Sequence, residues 1–522
     1  MTGVSEVETE LKSLIKYLIE CQPRTRDGLS KAKLRAVKAL GLNRIPANTE
    51  IAESMGDDAP EWLRSLVVKK PVKTGSGVSV LTVVAPLYSC PHGKCIYCPG
   101  GLESGTPQSY TGREPVIREA NEVFYSPHHQ VRRKIEKLRR MGHNVDKVEL
   151  IIIGGTFTAA PPSFQREFIK GCLDAIIGSS SPDLETALRM AEKTAIHISG
   201  ITIETKPDWA KLPIASRLVD MGVTRVELGV QALDDDILRQ VNRGHSVADV
   251  VEATRDLRDL SFKICYHMMP NLPGSSPVKD LEMLCRLFES EDFRPDMLKI
   301  YPTLVLPGTG LEKLWRRGLY QPYGDGELMK VLVEFFRRVP RYVRVNRVQR
   351  EIPLDYALTG SSVSNLRQEV ENRLGEGCRC IRCREVGRRG SDQRSISLNY
   401  IKYRAGGGDE WFISFEDVDT DSLIGFIRLR IPPRVVRSEL EDAGLVRELH
   451  VYGSMTPVGY RLNGQTAQHK GFGRRLLSEA ERVVAEEYGL GGVAVISGVG
   501  VRGYYRKMGY SLEGPYMFKR LR

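Results

Sequence analysis

Between about residues 76 and 350 the chain alternates short β-branched runs with amphipathic stretches of helical period. SVLTVVAPL (79–87), KVELIIIGG (147–155), ISGITIET (198–205), TRVELGVQ (224–231), FKICYHMMP (262–270), MLKIYPTLV (297–305) and YVRVNRVQRE (342–351) read as strands. HHQVRRKIEKLRRMG (128–142) and VADVVEATRDLRDL (247–260) between them read as helices. Repeated strand–helix units predict a parallel sheet, open or closed into a full or partial TIM-type barrel. Polar or Gly-rich positions follow the strand ends: Gly154, Gly155 and Thr156, then Glu204 and Lys206, Gln231, Asn271 and Thr303. In a barrel such ends converge on one mouth, where active sites are built.

The flanks have other rhythms. Residues 1–75 predict basic helices, ELKSLIKYLIE and LSKAKLRAVKALGL, the second carrying Lys31, Lys33, Arg35 and Lys38. A polar, arginine-rich linker spans 352–395. Residues 396–522 show antiparallel-looking strands (EWFISFED, SLIGFIRLRI, RELHVYG), a long helix (GRRLLSEAERVVAEEYG), then AVISGV and a Tyr-rich segment. At 522 residues the chain is too long for one core, so four units are expected: 1–75, 76–351, 352–395 and 396–522.

Composition narrows the class. A net charge of +11 biases the partner toward a polyanion. MTGVSEVETELKSL lacks a basic segment followed by an apolar run, so no signal peptide is expected, and no run approaches the length that spans a bilayer. A cytoplasmic protein is the expectation. Six of ten cysteines fall in two tight trios, Cys90/Cys95/Cys98 and Cys378/Cys380/Cys383. Three thiols so close cannot all pair as disulfides, and the trios read as metal sites.

The first trio follows the first strand of the β/α array with C-x-x-x-x-C-x-x-C spacing. Three thiolates so placed hold three corners of a [4Fe-4S] cluster and leave one iron open to a substrate's amino and carboxylate groups. Tyr97 before the last cysteine and the Gly154–Thr156 strand end complete a radical S-adenosylmethionine pattern. Zinc with His92 as a fourth ligand, or an electron-transfer iron–sulfur centre, are the alternatives. The second trio, in RCIRCREVGRRG, reads as a structural zinc site of exposed thiols with no evident fourth ligand.

In the last portion, Gln468, Gly471, Phe472 and Gly473 open the long helix at Arg474 and Arg475, where backbone N–H groups and the helix N-terminus favour a pyrophosphate. The strand bearing Glu448, Leu449, His450 and Val451 precedes it, and Tyr504 and Tyr505 follow. That order matches the GNAT acetyltransferase pattern, with acetyl-CoA as ligand. Glu448 and His450 are candidate general bases by position.

CPHGKCIYCPGG, TPQSYTGREP, IIIGGTFTA, GITIETKPDW, VELGVQ, HMMPNLPG, LKIYPTLVLPGTGL and RVQREIP resemble the catalytic subunit family of Elongator, and the likeness continues through RELHVYGS, QHKGFG and GVRGYYRKMGY. It covers nearly the whole chain from about residue 75. The four-residue gap between the first two cysteines departs from the commoner three-residue gap of radical enzymes. The resemblance implies a tRNA wobble-uridine carboxymethyltransferase that uses [4Fe-4S], S-adenosylmethionine and acetyl-CoA to form 5-carboxymethyluridine. Gly154, Gly155 and Thr156 would meet the methionine; Glu204, Lys206, Glu227 and Gln231 would line the mouth; Lys147 would contact acetyl-CoA. The expected partner is the tRNA anticodon stem-loop, not DNA, with a homodimer or Elongator-like subunits both open. Basic runs at Arg132–Arg140, Arg337–Arg350 and Arg379–Arg384 favour phosphate contacts. Two rival readings remain: a protein lysine acetyltransferase with a structural iron–sulfur domain, and a non-enzymatic tRNA-binding scaffold that senses acetyl-CoA. The expected fold is α/β: a partial or complete radical S-adenosylmethionine barrel plus an α/β GNAT domain, a helical basic N-terminal segment and a zinc-binding linker.

Overall fold

The computed structural model describes residues 3–42, 44–55, 59–68, 77–86, 88–375, 377–391, 395–452 and 471–521. Strands β1 (Ser79–Val84), β2 (Lys147–Ile153), β3 (His197–Thr205), β4 (Arg225–Gln231), β5 (Lys263–Met268), β6 (Met297–Ile300) and β7 (Arg344–Val348) form one sheet in sequence order, with each neighbouring pair parallel. β7 does not return to β1, so the array is a half-barrel. All seven expected strands are present.

The two faces of these strands differ in an unusual sense. Val148, Leu150 and Ile152 on β2, like Val226 and Leu228 on β4, belong to the apolar core against the outer helices. The alternate positions, Lys147 and Glu149, Arg225 and Glu227, Lys263 and His267, line an internal cavity. Side chains on a strand point to opposite faces with period two. Here the polar set faces inward.

A second sheet runs in the order β13-β14-β12-β11-β10-β9-β8, where β8 is Ile396–Ala405, β9 Gly408–Asp417, β10 Ser422–Ile431, β11 Ala443–Val451, β12 Gly492–Val495, β13 Ser511–Glu513 and β14 Tyr516–Arg520. β8, β13 and β14 go beyond the strands expected from sequence. The pairs are antiparallel except β11 with β12, so the sheet is mixed. The helix Phe472–Arg482 packs Phe472, Leu476, Leu477 and Ala480 onto it.

Helices α1 (Gly3–Cys21), α2 (Arg26–Leu40), α3 (Asn48–Ser54) and α4 (Glu61–Val67) close around a small core of their own that includes Leu14, Leu18, Leu29, Ala36 and Leu63. Lys33 of the basic helix is not on the solvent face. It is buried and donates to Asn48 Oδ1 at 2.9 Å, because its position falls on the stripe that meets α3. The segment after β7 also folds back: Leu366, Val370, Cys378, Cys380 and Ile381 join the core of the half-barrel. No helix among the described residues is long and apolar enough to cross a membrane.

The two sheets meet through buried charges. Arg447 of β11 places its two Nη atoms on the two carboxylate oxygens of Asp296 at 2.7 Å each, and Nη2 also reaches Glu410 at 2.8 Å. Arg258 donates to Glu410 at 2.9 Å, Arg430 to Asp259 at 2.5 Å, and Arg428 to Glu448 at 2.9 Å. Four arginines thus face four carboxylates, which satisfies the rule that charges removed from water must be paired. Beside this network Gly498 and Gly500 press on β3. A Cβ at Gly500 would lie 2.2 Å from the Ile198 nitrogen, and one at Gly498 2.3 Å from the Ser199 oxygen. Only glycine permits that approach.

Candidate active site

The cysteine loop leaves β1 and sits over the ends of the other strands. Cys95 and Cys98 are buried and Cys90 is half-buried. Ser109 donates its backbone N–H to Cys98 Sγ at 3.1 Å, Cys90 Sγ lies 3.3 Å from Thr156 Oγ1, and His92 Nε2 lies 3.3 Å from Cys95 Sγ. Buried Arg243 donates to the Gly229 carbonyl at 2.6 Å and lies 3.7 Å from Cys95 Sγ. Burial alone would lower its pKa, but the surrounding Tyr97 and cysteine groups carry it upward. A fixed guanidinium there is the counter-charge that a thiolate centre requires. His92 is held neutral, its pKa pushed down to about 4 by burial and by Lys206 and Arg243.

The two trios differ in spacing, and the difference separates their chemistry. The sulfurs of Cys378, Cys380 and Cys383 all lie within 4.8 Å of one another. A tetrahedral ion with bonds of about 2.3 Å holds thiolates about 3.8 Å apart, so this trio fits a single zinc. Among the described residues Cys90, Cys95 and Cys98 do not close into such a group, so they do not match a single tetrahedral ion. The second trio is not the exposed set expected: Cys378 and Cys380 are buried, since the segment folds under the half-barrel. Arg367 reaches Cys383 Sγ at 3.4 Å and Cys380 Sγ at 3.8 Å.

Around the mouth, Gly154 and Gly155 take φ values of +133° and +83°, and a Cβ at Gly154 would touch the Ala85 oxygen at 3.0 Å. Lys206 is buried and donates to His92 Nδ1 at 2.9 Å and Asp208 at 3.2 Å; burial and Arg243 lower its pKa. Glu204 accepts from the Tyr110 hydroxyl at 3.1 Å and from Lys299 at 3.4 Å. Glu227 is fully buried, pairs with Lys299 and accepts from His267 Nε2 at 2.7 Å. Burial would raise its pKa, but Lys299 and His267 hold it well below the ordinary range. Glu227, Cys265 and His267 also lie within 4.8 Å of one another, but Lys299 already fills the role of cation there. Among the described residues the buried Gln231 Oε1 has no hydrogen-bond partner. An orphaned acceptor of this kind fits a polar ligand such as S-adenosylmethionine.

The second sheet supplies the other wall. β11 pairs with β12 only as far as Val446 and Val495, and a bulge in its pairing with β10 falls at Arg447. Beyond that bulge Glu448, Leu449, His450 and Val451 pair only with β10 among the described residues, leaving one backbone edge open. Gly471, at φ +77°, starts the helix Phe472–Arg482, and among the described residues no side chain caps its first N–H groups. Such an edge and helix start fit the amides and pyrophosphate of coenzyme A. Arg474 lines the cavity, whereas Arg475 turns away and stacks over Phe415 at 4.5 Å. Tyr504 is 37% exposed and faces Gly473; Tyr505 packs in the core against Tyr510. His450 is pushed down to about 4 by burial, so it is a neutral imidazole. Gln468 lies outside the described residues.

One cavity of about 1240 Å³ joins these walls. It runs from Cys90, Thr156 and Gln231 along the inner faces of the strands to Lys147, His450, Gly473 and Tyr504. Arg225, Arg243, Lys263, His267 and Lys299, none of them singled out in the motifs, line it as well. For Arg225, Lys263, His267 and Lys299, period-two placement on β4, β5 and β6 is the signal that could have marked them; Arg243 lies in the loop after the helix Asp235–Gln240, with no such signal. The expected basic runs divide. Arg337 and Arg338 bind Glu334, while Arg341 reaches across to Glu416 and Asp421 of the second unit. Arg344, Arg347 and Arg350 turn into the cavity.

A half-barrel with a three-cysteine loop at its mouth is the architecture of radical S-adenosylmethionine enzymes. Residues 84–288 match the radical SAM superfamily and 295–376 the Radical_SAM C-terminal domain; the protein is a radical SAM enzyme. Residues 8–75 match the ELP3 N-terminal domain. The chain is 43% identical to the tRNA uridine(34) acetyltransferase of Methanocaldococcus jannaschii over 94% of its length and 95% of the relative's. It is 42% identical to human Elongator complex protein 3 over 98% and 96% of the two chains. The structure of Methanocaldococcus infernus Elp3 with an N-terminal deletion superposes with a TM-score of 0.76 at 40% identity, covering 85% of this chain and all of that one. The chain belongs to the Elp3 family.

Proposed function

We propose that this enzyme modifies the wobble uridine of tRNA, joining the methyl carbon of an acetyl thioester to carbon 5 so that hydrolysis yields 5-carboxymethyluridine. The observation that carries this reading is the single cavity shared by the cysteine mouth and the β11–helix edge. An acetyl group presented by Gly471, Gly473 and Tyr504 would enter the half-barrel from its β11 side, while the uridine would enter at the mouth. The similarity to archaeal tRNA uridine(34) acetyltransferases supports the substrate.

Cys90, Cys95 and Cys98 would hold the [4Fe-4S] cluster, with Gly154, Gly155, Thr156, Glu227 and Gln231 around S-adenosylmethionine. Bound together, these groups supply one-electron chemistry that removes hydrogen from an unactivated carbon. The protein's part is orientation and exclusion. Tyr110 and Lys299 fix the Glu204 carboxylate, Lys206 and His92 hold each other beside the thiols, and Arg243 compensates their charge. In the closing hydrolysis, water oxygen bonds to the thioester carbon and the C–S bond breaks. Coenzyme A leaves as the thiol, and a carboxylate and one proton remain. Neutral His450, beside Glu448, is placed to take the proton from that water.

The 396–522 unit would be the GNAT-type acetyl-CoA domain, and residues 352–395 the zinc segment through Cys378, Cys380 and Cys383. The N-terminal helices and exposed basic positions such as Arg132 and Arg139 would meet the anticodon stem-loop. Reduced thiols suit the cytoplasm, and Elongator-like subunits or a second copy would complete the assembly. A protein amine as acceptor fits less well, because the cavity leads from the thioester edge to the cysteine mouth.

The test is anaerobic incubation with tRNA, acetyl-CoA deuterated on its methyl group, S-adenosylmethionine and reductant, followed by nucleoside mass spectrometry. Carboxymethylated U34 with deuterium in 5′-deoxyadenosine is expected. Unlabelled 5′-deoxyadenosine alongside full product would refute the joining of the two sites.

A further inference from the structure

A tight turn at residues 123–126 carries side chains poorly suited to its backbone. The Ser126 N–H donates to the Val123 carbonyl at 2.9 Å, and the two central residues, Phe124 and Tyr125, take φ values of +51° and +56°. Positive φ at both centres is the pattern of a type I′ turn, which favours Asn-Gly. In that region a Cβ crowds the following carbonyl, so a bulky residue is strained. Tyr125 has a reason to accept the strain: its ring is buried in a small core with Val84, Ile117 and Ile153. Phe124 gains no such burial, being 91% exposed. Its backbone is strained in order to hold an aromatic ring in solvent, and strain of this kind collects at functional sites.

The turn is fixed at the mouth end of the half-barrel. Val84 and Ile153, which pack on Tyr125, are the last residues of β1 and β2, where the chain departs toward the cysteine loop and Gly154. Just after the turn, Gln130 pairs with the outer edge of β1. Its Oε1 accepts from the Val84 N–H at 2.8 Å and its Nε2 donates to the Val84 carbonyl at 2.9 Å. Phe124 therefore stands on the rim, outside the lining of the cavity that holds the thiols.

Its surroundings are cationic and polar. The helix Pro127–Arg140 that follows carries Arg132, Arg133, Lys134, Lys137, Arg139 and Arg140 against Glu136 alone. Glu122 pairs with Arg133 at 3.0 Å and Glu119 with Lys134 at 3.1 Å, while Arg132 and Arg139 stay exposed. Near Phe124 in the chain, Asn121, Glu122, His128 and His129 are exposed too, so the ring is not part of a contiguous apolar patch of the kind that marks a protein interface. A ring beside exposed cations suits single-stranded nucleic acid, with base on ring and phosphate on cation.

We propose that Phe124 is a stacking platform for an unpaired base of the RNA loop, a base other than the uridine that enters the cavity. The inference rests on the tRNA reading given above and deepens it. The platform holds the loop on the rim while the target base turns inward, and the strained turn keeps the ring aimed at it.

The experiment needs neither cluster loading nor turnover. Affinity of the full chain is measured for an anticodon stem-loop with unmodified U34, together with thermal melting of the free protein. Phe124→Ala should weaken binding about tenfold, the return on one stacked base, and Phe124→Trp should retain it. Phe124→Asn should weaken binding as much yet raise the melting temperature, because asparagine relieves the turn. Stem-loops made abasic at each loop position in turn should show one position where wild type loses about tenfold and Phe124→Ala loses nothing further. Unchanged affinity in Phe124→Ala and Phe124→Asn overturns the platform. So does a loss in Phe124→Ala that adds in full to the loss at every abasic position. If sedimentation shows those variants losing self-association while RNA affinity holds, the ring belongs to a contact with a second copy, which also overturns it. Failure of wild type to bind the stem-loop refutes the tRNA reading itself, and the platform falls with it.

Discussion

Asp296→Asn tests whether the buried charge network holds the two catalytic units in register. Asp296, Arg447 and Glu410 have no exposed side-chain surface, and Asp296 accepts both Nη atoms of Arg447 at 2.7 Å plus the Ile264 N–H at 2.9 Å. Asparagine keeps the volume but turns one acceptor into a donor, which then faces either a guanidinium or an amide N–H. It also leaves one uncompensated positive charge among four arginines. Breaking a buried pair in this way costs about 3–5 kcal/mol. Glu410 still holds Arg447 at 2.8 Å, so the lower end, about 3 kcal/mol, is expected. At 1.36 kcal/mol per tenfold, that is a fall of roughly 150-fold in the closed-to-open equilibrium. Hydrogen exchange at β5 and β11 should show it, with the outer helix Pro162–Ile177 unaffected. Combining Asp296→Leu with Arg447→Met removes both charges and should recover much of the loss. The pH profile carries a sign. Burial would raise the Asp296 pKa from its ordinary 3.8, but Arg447 and Arg428 hold it well below that value. Stability from this depressed acid is fully present above pH 3.8 and is lost only as pH falls further. Protection in Asp296→Asn within about threefold of wild type, less than 1 kcal/mol, would refute the reasoning.

Three further outcomes are expected. Replacing Cys90, Cys95 and Cys98 by Ala should abolish iron binding and uridine modification yet leave coenzyme A binding intact; iron analysis and calorimetry check it. That same variant should retain about one zinc per chain on Cys378, Cys380 and Cys383, and metal analysis finding none while the segment stays folded would remove the site. In the N-terminal unit, Arg44 bonds and the Ala47 N–H depress Glu50 from the ordinary 4.5 to about 2. Glu50→Gln should therefore destabilise α3 at neutral pH, by less than about 1 kcal/mol for so exposed a pair, and the difference from wild type should close as pH falls from 4.5 toward 2. Exchange rates of the α3 amides across that range measure it.

The linear order of residues determined the elements and the ligand types. β-branched runs between stretches of helical period marked all seven strands of the half-barrel, three thiols after β1 marked the cluster loop, and Gly471 and Gly473 before an amphipathic run marked the second site. These signals are local, set by backbone periodicity and by spacing along a few residues. Short-range pattern could not say which face of each strand looks inward, since alternation is the same whether its polar face meets solvent or a cavity. The tertiary structure decided that Lys147, Arg225, Lys263 and Lys299 line one cavity, and that Arg341 ties two units together instead of meeting solvent. It turned Lys33, Cys378 and Cys380 inward, because their segments pack against chain far from them in sequence. Above all it joined the two sites. Cys90 and Tyr504 lie some four hundred residues apart, and they share a cavity only because Arg447 finds Asp296 and because Gly498 and Gly500 let one backbone lie on another. Pairings of that kind depend on contacts distant along the chain, which no local pattern encodes.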